Sequence, residues 1–143
     1  MFSVESVLSL EKRGINFYRR SIKYDGLRVP GTIKRGKCHF THSTRTGANA
    51  AASMLRDMGG NVVFGHTHTP SFFTRTNVHS GTIAAWNPGC LCELVQYWHH
   101  TSMMGHAHGY GLQNVGRDEE FLHINVPIVD GKSLMVPLTQ MVA

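Results

Sequence analysis

The chain has 143 residues, 41% of them apolar, and a formal net charge of +5, which is the make-up of one globular domain. No apolar run approaches the ~20 residues that a membrane-spanning helix needs, and the N-terminus lacks a signal-peptide pattern. Composition argues against an integral membrane protein and against a secreted one. We expect a single domain over residues 1–143, in the cytoplasm and without a membrane contact.

The positive charge is concentrated near the start of the chain. Residues 1–45 hold ten of the fourteen basic residues and three of the nine acidic ones, a net charge of +7. A basic segment attracts polyanions, so nucleic acid is one expected partner. Its candidate contacts are Arg19, Arg20, Lys34 and Arg35. A solvated basic face, or a face that meets an acidic protein, explains the same charge.

The first elements are short. Hydrophobic spacing predicts a helix over residues 3–13 that ends at Gly14. Extended pieces follow in "GINFY" and "SIKY", with turn signals at Asp25-Gly26 and at Val29-Pro30-Gly31.

A strand, a helix and a second strand are predicted next. "KCHFTH" (37–42) is typical of a strand that ends at His42. Residues 46–58, rich in Ala, Met and Leu, predict a helix, and Gly59-Gly60 is a C-cap signal. The apolar run "NVVF" that follows is typical of a strand buried on both faces.

The rest of the chain predicts strands only. Their sequences are "SFFTRT", "GTIAAW", "HGYGLQNV", "EFLHINVPIV" and "KSLMVPL", with turns at 116–118 and 130–131. Trp86, Phe72 and Phe73 are expected in the core. The fold class predicted is α/β, a strand–helix–strand unit that finishes in a β-meander.

Three histidines are expected at one edge of the sheet. His42 ends one predicted strand, and His66 and His68 follow the end of the next, "NVVFG". If the helix joins these strands in parallel, their carboxyl ends meet at the same edge, where ligands of α/β sheets collect. Imidazole is the commonest protein ligand for transition metals, so this edge is a candidate metal site.

The other metal-ligating residues are interpreted differently. Cys90 and Cys92 are predicted on one face of a strand, as buried free thiols in preference to metal ligands. "GHAH" (105–108) repeats the pattern of "GHTH" (65–68), and we interpret it as an accidental repeat within structural sequence. His99 and His100 are read as a surface pair, and His39 as structural.

Several motifs together resemble the calcineurin-like metallophosphoesterases. "GHTH" after an apolar strand looks like the last metal motif of that family, and the strand that ends in His42 looks like the motif before it, although Ser43 stands where the family has Gly. Asn87-Pro88-Gly89 resembles the family's asparagine-proline-glycine turn. The order and spacing, from residue 14 to "VPIVDGK", are similar to phosphoesterases encoded by bacteriophages.

The resemblance implies a site and a chemistry. His42 and His66 would bind one metal of a pair and His68 the other, and two ions of that kind polarise a phosphate and activate a hydroxide. The metal expected is Mn²⁺, with Fe, Zn and Ni as alternatives. Arg45 would meet the phosphate as a bidentate donor, unless it is simply a solvated residue before the helix.

The acidic motifs of the family are missing. Before His42 the acids are Glu5, Glu11 and Asp25, none in the family's Asp-x-His or Gly-Asp contexts. We therefore expect the C-terminal half of an α/β/β/α sandwich, which hydrolyses a phosphomonoester or phosphodiester once a second polypeptide or a homo-oligomer completes it. The alternative is a non-catalytic phage interaction module that binds a protein or nucleic acid through its basic segment.

Overall fold

The computed structural model describes residues 8–15, 21–24, 27–43, 45–79, 81–95 and 105–135. A 3₁₀ turn, Glu11–Arg13, precedes the strands, and Gly14 ends it in the left-handed conformation at φ 67°. The strands of the described residues are β1 Ser21–Tyr24, β2 Leu27–Pro30, β3 Thr32–Arg35, β4 Cys38–His42, β5 Asn61–Gly65, β6 Ser71–Asn77, β7 Gly81–Asn87, β8 Gly109–Val115, β9 Phe121–Val129 and β10 Lys132–Ser133. The helix α1 is Ala50–Met58.

The strands form three sheets. The largest has the order β3-β4-β5-β7-β6, and the two others are the hairpin β1-β2 and the meander β10-β9-β8. The predicted class, a mixture of α and β in which strands predominate, is confirmed. Within the described residues, no helix is long and apolar enough to cross a membrane.

The strand–helix–strand unit is the part of the fold that positions the histidines. β4 and β5 pair in parallel, from Cys38 opposite Asn61 to His42 opposite Gly65, and α1 connects them. Alanine and leucine favour the helix, and Gly59 ends it at φ 64°, where its N–H donates to the Leu55 carbonyl. Both strand ends and the helix end agree with the prediction.

The core lies between α1 and one face of the large sheet. From the helix, Met54 and Leu55 point inward with the alanines before them, and Val62 and Phe64 of β5 meet them together with Ile83 and Ala85 of β7. The opposite face meets the meander instead. There, Trp86 contacts the rings of Phe121 and His123 at 5.8 and 5.3 Å between centroids.

Several expectations about the elements are corrected. The helix begins at Ala50, not at 46, because the backbone at Gly47 has a φ of 84° that a helix cannot contain. The stretch 29–30 belongs to β2, so only Gly31 separates β2 from β3. Of "KSLMVPL", the described strand covers only Lys132–Ser133.

Phe72 and Phe73 were also expected in the core, and this prediction is wrong. They are 59% and 41% exposed, because β6 is the edge strand of the large sheet. On one face of β6, Phe73 and α1 line a groove of about 590 Å³. On the other face, Phe72 has the ring of Trp86 against it at 5.8 Å.

The predicted segments 3–7 and 16–20, the turn at 25–26, the pair His99–His100 and the end of the last strand beyond residue 135 lie outside the described residues.

We predict that Leu55→Ala lowers the free energy of unfolding by about 2–5 kcal/mol. Leu55 is 2% exposed and stands at the centre of the helix–sheet core, so its truncation leaves a cavity. Urea unfolding followed by circular dichroism measures the change. Leu122→Ala is the matched control: Leu122 is 63% exposed, and its loss should change stability by less than about 0.5 kcal/mol. Equal losses in the two variants would contradict this core.

A second prediction concerns acid. Burial lowers the pKa of His123 below its ordinary value of 6.5, although the hydrogen bond with Asn125 opposes this. The unfolded chain therefore takes up a proton at His123 more readily than the folded chain does, and stability falls as the pH drops below about 6.5. His123→Gln should lose less stability than the wild type between about pH 7 and pH 5, measured by urea unfolding. An unchanged difference would contradict the prediction.

Candidate metal centre

His42 and His66 meet at the carboxyl edge of the large sheet. His42 is the last residue of β4 and pairs with Gly65, and His66 is the next residue after Gly65. Their ring centroids lie 4.9 Å apart, with an angle of 63° between the planes. His42 is exposed and His66 half-buried. Of the three histidines expected together at this edge, the structure brings His42 and His66 into contact.

The turn after β5 has an uncommon backbone. His66 and His68 have φ values of 108° and 56°, a region that side chains other than glycine rarely adopt. Such residues cost about 1–3 kcal/mol each and persist where their surroundings hold them. Here Asn87 supplies part of the restraint, because its Nδ2 donates to Thr67 Oγ1 at 2.7 Å.

Asn87 is the last residue of β7 and is fully buried. Its side-chain amide and its backbone carbonyl both have hydrogen-bond partners. Its Oδ1 accepts the N–H of Gly89 at 2.9 Å, which fixes the Asn-Pro-Gly turn. Its carbonyl accepts a hydrogen bond from Asn125 Nδ2 at 3.0 Å. The same side chain therefore ties the histidine turn to the loop that carries the cysteines.

Gly89 allows a third segment to approach that loop. Its φ is 99°, and a Cβ atom there would lie 2.4 Å from the carbonyl oxygen of Ala107. Because Gly89 has no side chain, the backbone of 105–109 can pair with the cysteine loop. The pairing consists of Cys90 N–H to Ala107 O at 3.1 Å and Gly109 N–H to Cys90 O at 3.0 Å.

His68 has different neighbours from the His42–His66 pair. Its Nδ1 lies 3.6 Å from Cys92 Sγ, and its ring centroid lies 5.0 Å from that of His106. One ligand atom from each of His68, Cys90 and Cys92 falls within 4.8 Å of the others. Within the described residues, these three form the one group of three or more His, Cys, Asp and Glu side chains that could hold a metal ion.

Sequence reasoning misplaced the two thiols. Cys90 and Cys92 lie in the loop after β7 and not on a strand, and both are half-buried. Two contacts with His108 hold this loop in place. Cys90 makes an isolated β-bridge with His108, and His108 Nε2 donates to Cys92 O at 2.8 Å. Burial raises the pKa of the Cys90 thiol, and the neighbouring Cys92 side chain contributes a smaller effect in the same direction.

The "GHAH" motif, which we interpreted as an accidental repeat, lies next to His68 and the cysteine loop. His106 lies against His68 and His108 anchors the cysteine loop, so the repeat belongs to the same cluster as "GHTH". Ala107 N–H donates to the carbonyl of His68 at 3.1 Å, which joins the two motifs directly. The available signal was the coincidence of two Gly-His-x-His motifs and one Cys-x-Cys in 44 residues.

The described basic candidates each make a contact within the chain. Arg45 forms an ion pair with Asp57 of α1. Lys34 lies 3.8 Å from a carboxylate oxygen of Glu119, and Arg35 donates to the carbonyl of Lys34. The positive charge of Lys34 is thus partly compensated by the chain itself. Arg19 and Arg20 lie outside the described residues.

The implied pair of metals does not fit the described residues alone. A bridged pair requires carboxylates, and none of the described ones forms a group of three ligands with His42, His66 or His68. Asp57 faces Arg45, and Glu119 and Glu120 face Lys34 and Lys37. Neutral imidazoles do not offset the charge of two divalent ions, so the described residues provide only part of such a centre.

No protein-family model, no curated protein and no solved structure matches the chain significantly. Any function must therefore be argued from the residues and geometry of the site. The likeness to metallophosphoesterases stays a prediction from the motifs.

We predict that the three cysteines differ in reactivity. Cys38 is fully buried on β4, and burial raises its pKa to about 11, so at pH 8 it is a protected, neutral thiol. Cys90 and Cys92 are half-buried and accessible. Ellman's reagent should titrate two thiols in the folded, metal-free protein and the third only in denaturant.

Cys38→Ser provides the control for this count. It should leave the two fast thiols unchanged and remove the slow one. Rapid reaction of all three thiols in the folded protein, or loss of a fast one in Cys38→Ser, would contradict the placement.

Proposed function

We propose that this chain supplies the histidine side of a metal-dependent phosphoesterase centre. The observation that carries the proposal is the meeting of His42 and His66, from two adjacent parallel strands, at 4.9 Å. Ligands and catalytic groups of α/β sheets collect at this edge. The positive φ values of His66 and His68 add support, because strained backbone is commonly retained at functional sites.

The described residues place no carboxylate in a group of three ligands with His42 and His66, so the proposed centre takes its carboxylates from a partner. A second polypeptide that carries the N-terminal half of the sandwich, or another copy of this chain, would supply them. An apolar surface supports such docking: Leu112 and Ile124 pair across β8 and β9, and Leu122 lies on the same face, with 39%, 46% and 63% of their surfaces exposed. A cluster of exposed apolar side chains is typical of an interaction site.

The completed centre is expected to hold Mn²⁺ and to hydrolyse a phosphodiester or phosphomonoester. In this chain, His42 and His66 would act as imidazole ligands oriented by β4 and β5. Arg45 would contact the phosphate only after leaving Asp57, at small cost, since exposed ion pairs are worth about 0–1 kcal/mol.

The alternative of a nucleic-acid or protein-binding module has less support from the described residues. Lys34 and Lys37 of the basic segment face Glu119 and Glu120, which reduces the positive charge available to a polyanion.

The test is hydrolysis of bis(p-nitrophenyl) phosphate with Mn²⁺. The chain is assayed alone and after co-purification with the products of the reading frames next to its own. We predict that His42→Ala and His66→Ala each lower kcat/KM of the active preparation by at least about 100-fold, because a ligand contributes more than a residue that merely supports one. The partner should still co-purify.

His79→Ala is the matched control, because His79 is an exposed histidine on the loop between β6 and β7. It should leave kcat/KM unchanged. Hydrolysis that is equal in the wild type and both site variants would contradict the proposal. So would the absence of hydrolysis from every co-purified preparation.

A further inference from the structure

The cluster of His68, Cys90 and Cys92 is not explained by a phosphoesterase centre. One ligand atom from each residue lies within 4.8 Å of the other two. Within this group, His68 Nδ1 lies 3.6 Å from Cys92 Sγ. An imidazole and two thiols that converge in this way require a chemical explanation of their own.

The spacing agrees with a tetrahedral metal site. Zinc binds sulfur at about 2.3 Å and histidine nitrogen at about 2.0–2.1 Å, and a tetrahedral angle then separates the two ligand atoms by about 3.5–3.6 Å. The Nδ1 of His68 and the Sγ of Cys92 already stand at 3.6 Å. The distance between these two atoms therefore matches the one that a tetrahedral zinc ion would require.

The donor types select the metal. Thiolates favour zinc and other soft or borderline ions, while Mn²⁺ and Mg²⁺ prefer oxygen. Two thiolates also supply two negative charges, so one divalent ion is neutralised without any carboxylate. On binding, Cys90 and Cys92 each release a proton to solvent, and His68 binds through an unprotonated ring nitrogen.

The three ligands are held by backbone that is already ordered. The carbonyl of His68 accepts the N–H of Ala107, and Ala107 in turn accepts the N–H of Cys90. The ring of His108 donates to Cys92 O at 2.8 Å, which fixes the far end of the loop. Preorganisation of this kind lowers the entropic cost of binding an ion.

His106 lies beside the three converging residues. Its ring centroid is 5.0 Å from that of His68, but its nitrogens do not belong to the group of converging ligand atoms. Zinc sites with three protein ligands keep an open position for water or substrate, whereas structural sites take a fourth side chain. A zinc ion held by these three half-buried residues would keep one position for water, and His106 would lie next to the ion.

We propose that His68, Cys90 and Cys92 bind one zinc ion, in a site separate from the His42–His66 pair. The competing explanation is a metal-free cluster in which a thiol–imidazole hydrogen bond and a thiol pair account for the contacts. An intramolecular disulfide between Cys90 and Cys92 is a second competitor. Both are outcomes of the experiment below.

The experiment is a titration of the reduced full chain with Co²⁺, a spectroscopic substitute for zinc. A Cys₂His site should give thiolate-to-cobalt charge-transfer absorption in the near ultraviolet and intense visible bands of a tetrahedral ion, saturating at one equivalent. Zn²⁺ should bleach these bands by displacement. Cys90→Ser and Cys92→Ser should each remove or weaken the charge-transfer band and lower Co²⁺ affinity at least about 100-fold, beyond the 10–100-fold loss for supporting residues.

Matched controls separate ligands from bystanders. Cys38→Ser removes a thiol that is buried on β4, and His79→Ala removes an exposed histidine. Both should retain the spectrum and the affinity. His42→Ala should also retain them, although it removes phosphoesterase activity, so the two proposals can fail independently.

The proposal is overturned if Co²⁺ gives no charge-transfer band, or if the band survives in both Cys90→Ser and Cys92→Ser. A disulfide that forms under the reducing conditions, detected by mass, also overturns it. Far-ultraviolet circular dichroism establishes that each variant is folded. For any ligand variant that is not folded, the spectrum of His68→Gln decides, and retention of wild-type bands and affinity there overturns the proposal.

Discussion

The buried side chain of Asn87 is the constraint on which the site depends. It restrains the histidine turn through Thr67 and closes the Asn-Pro-Gly turn through the N–H of Gly89. Asn125 of the meander donates through its Nδ2 to the backbone carbonyl of Asn87. Since Asn87 is fully buried, the loss of one partner would leave one of its polar groups unsatisfied. The two sheets and the two loops that carry potential ligands are therefore coupled through one residue.

This coupling creates two environments at one sheet edge. His42 and His66 come together because β4 and β5 are parallel and in register. His68, two residues further on, turns to the thiols of the next loop, and the left-handed backbone at both histidines accompanies that separation. Among the described residues, no carboxylate forms a group of three ligands with His42 and His66. The second environment has two thiols, which would ionise if a metal bound there.

The elements that local sequence patterns determine could be predicted. The apolar run before Gly65, the Ala-rich helix and its glycine stop predict a parallel strand pair, and the adjacency of His42 and His66 follows from it. The cysteine loop was not predictable in this way. Cys90 and Cys92 meet His68 through backbone bonds to residues 107–109, and sequence periodicity carries no information about such non-local contacts. The exposure of Phe72 and Phe73 was missed for a related reason, because strand order decides which strand is an edge.

In the proposed metal site, the Asn87 turn and the 105–109 segment bring two thiolates to His68. Zinc K-edge X-ray absorption of the protein loaded with one equivalent of zinc would identify the ligands. We expect two sulfur neighbours at about 2.3 Å and nitrogen or oxygen neighbours at about 2.0–2.1 Å, with the imidazole scattering of one histidine. A first shell made only of nitrogen and oxygen would contradict it.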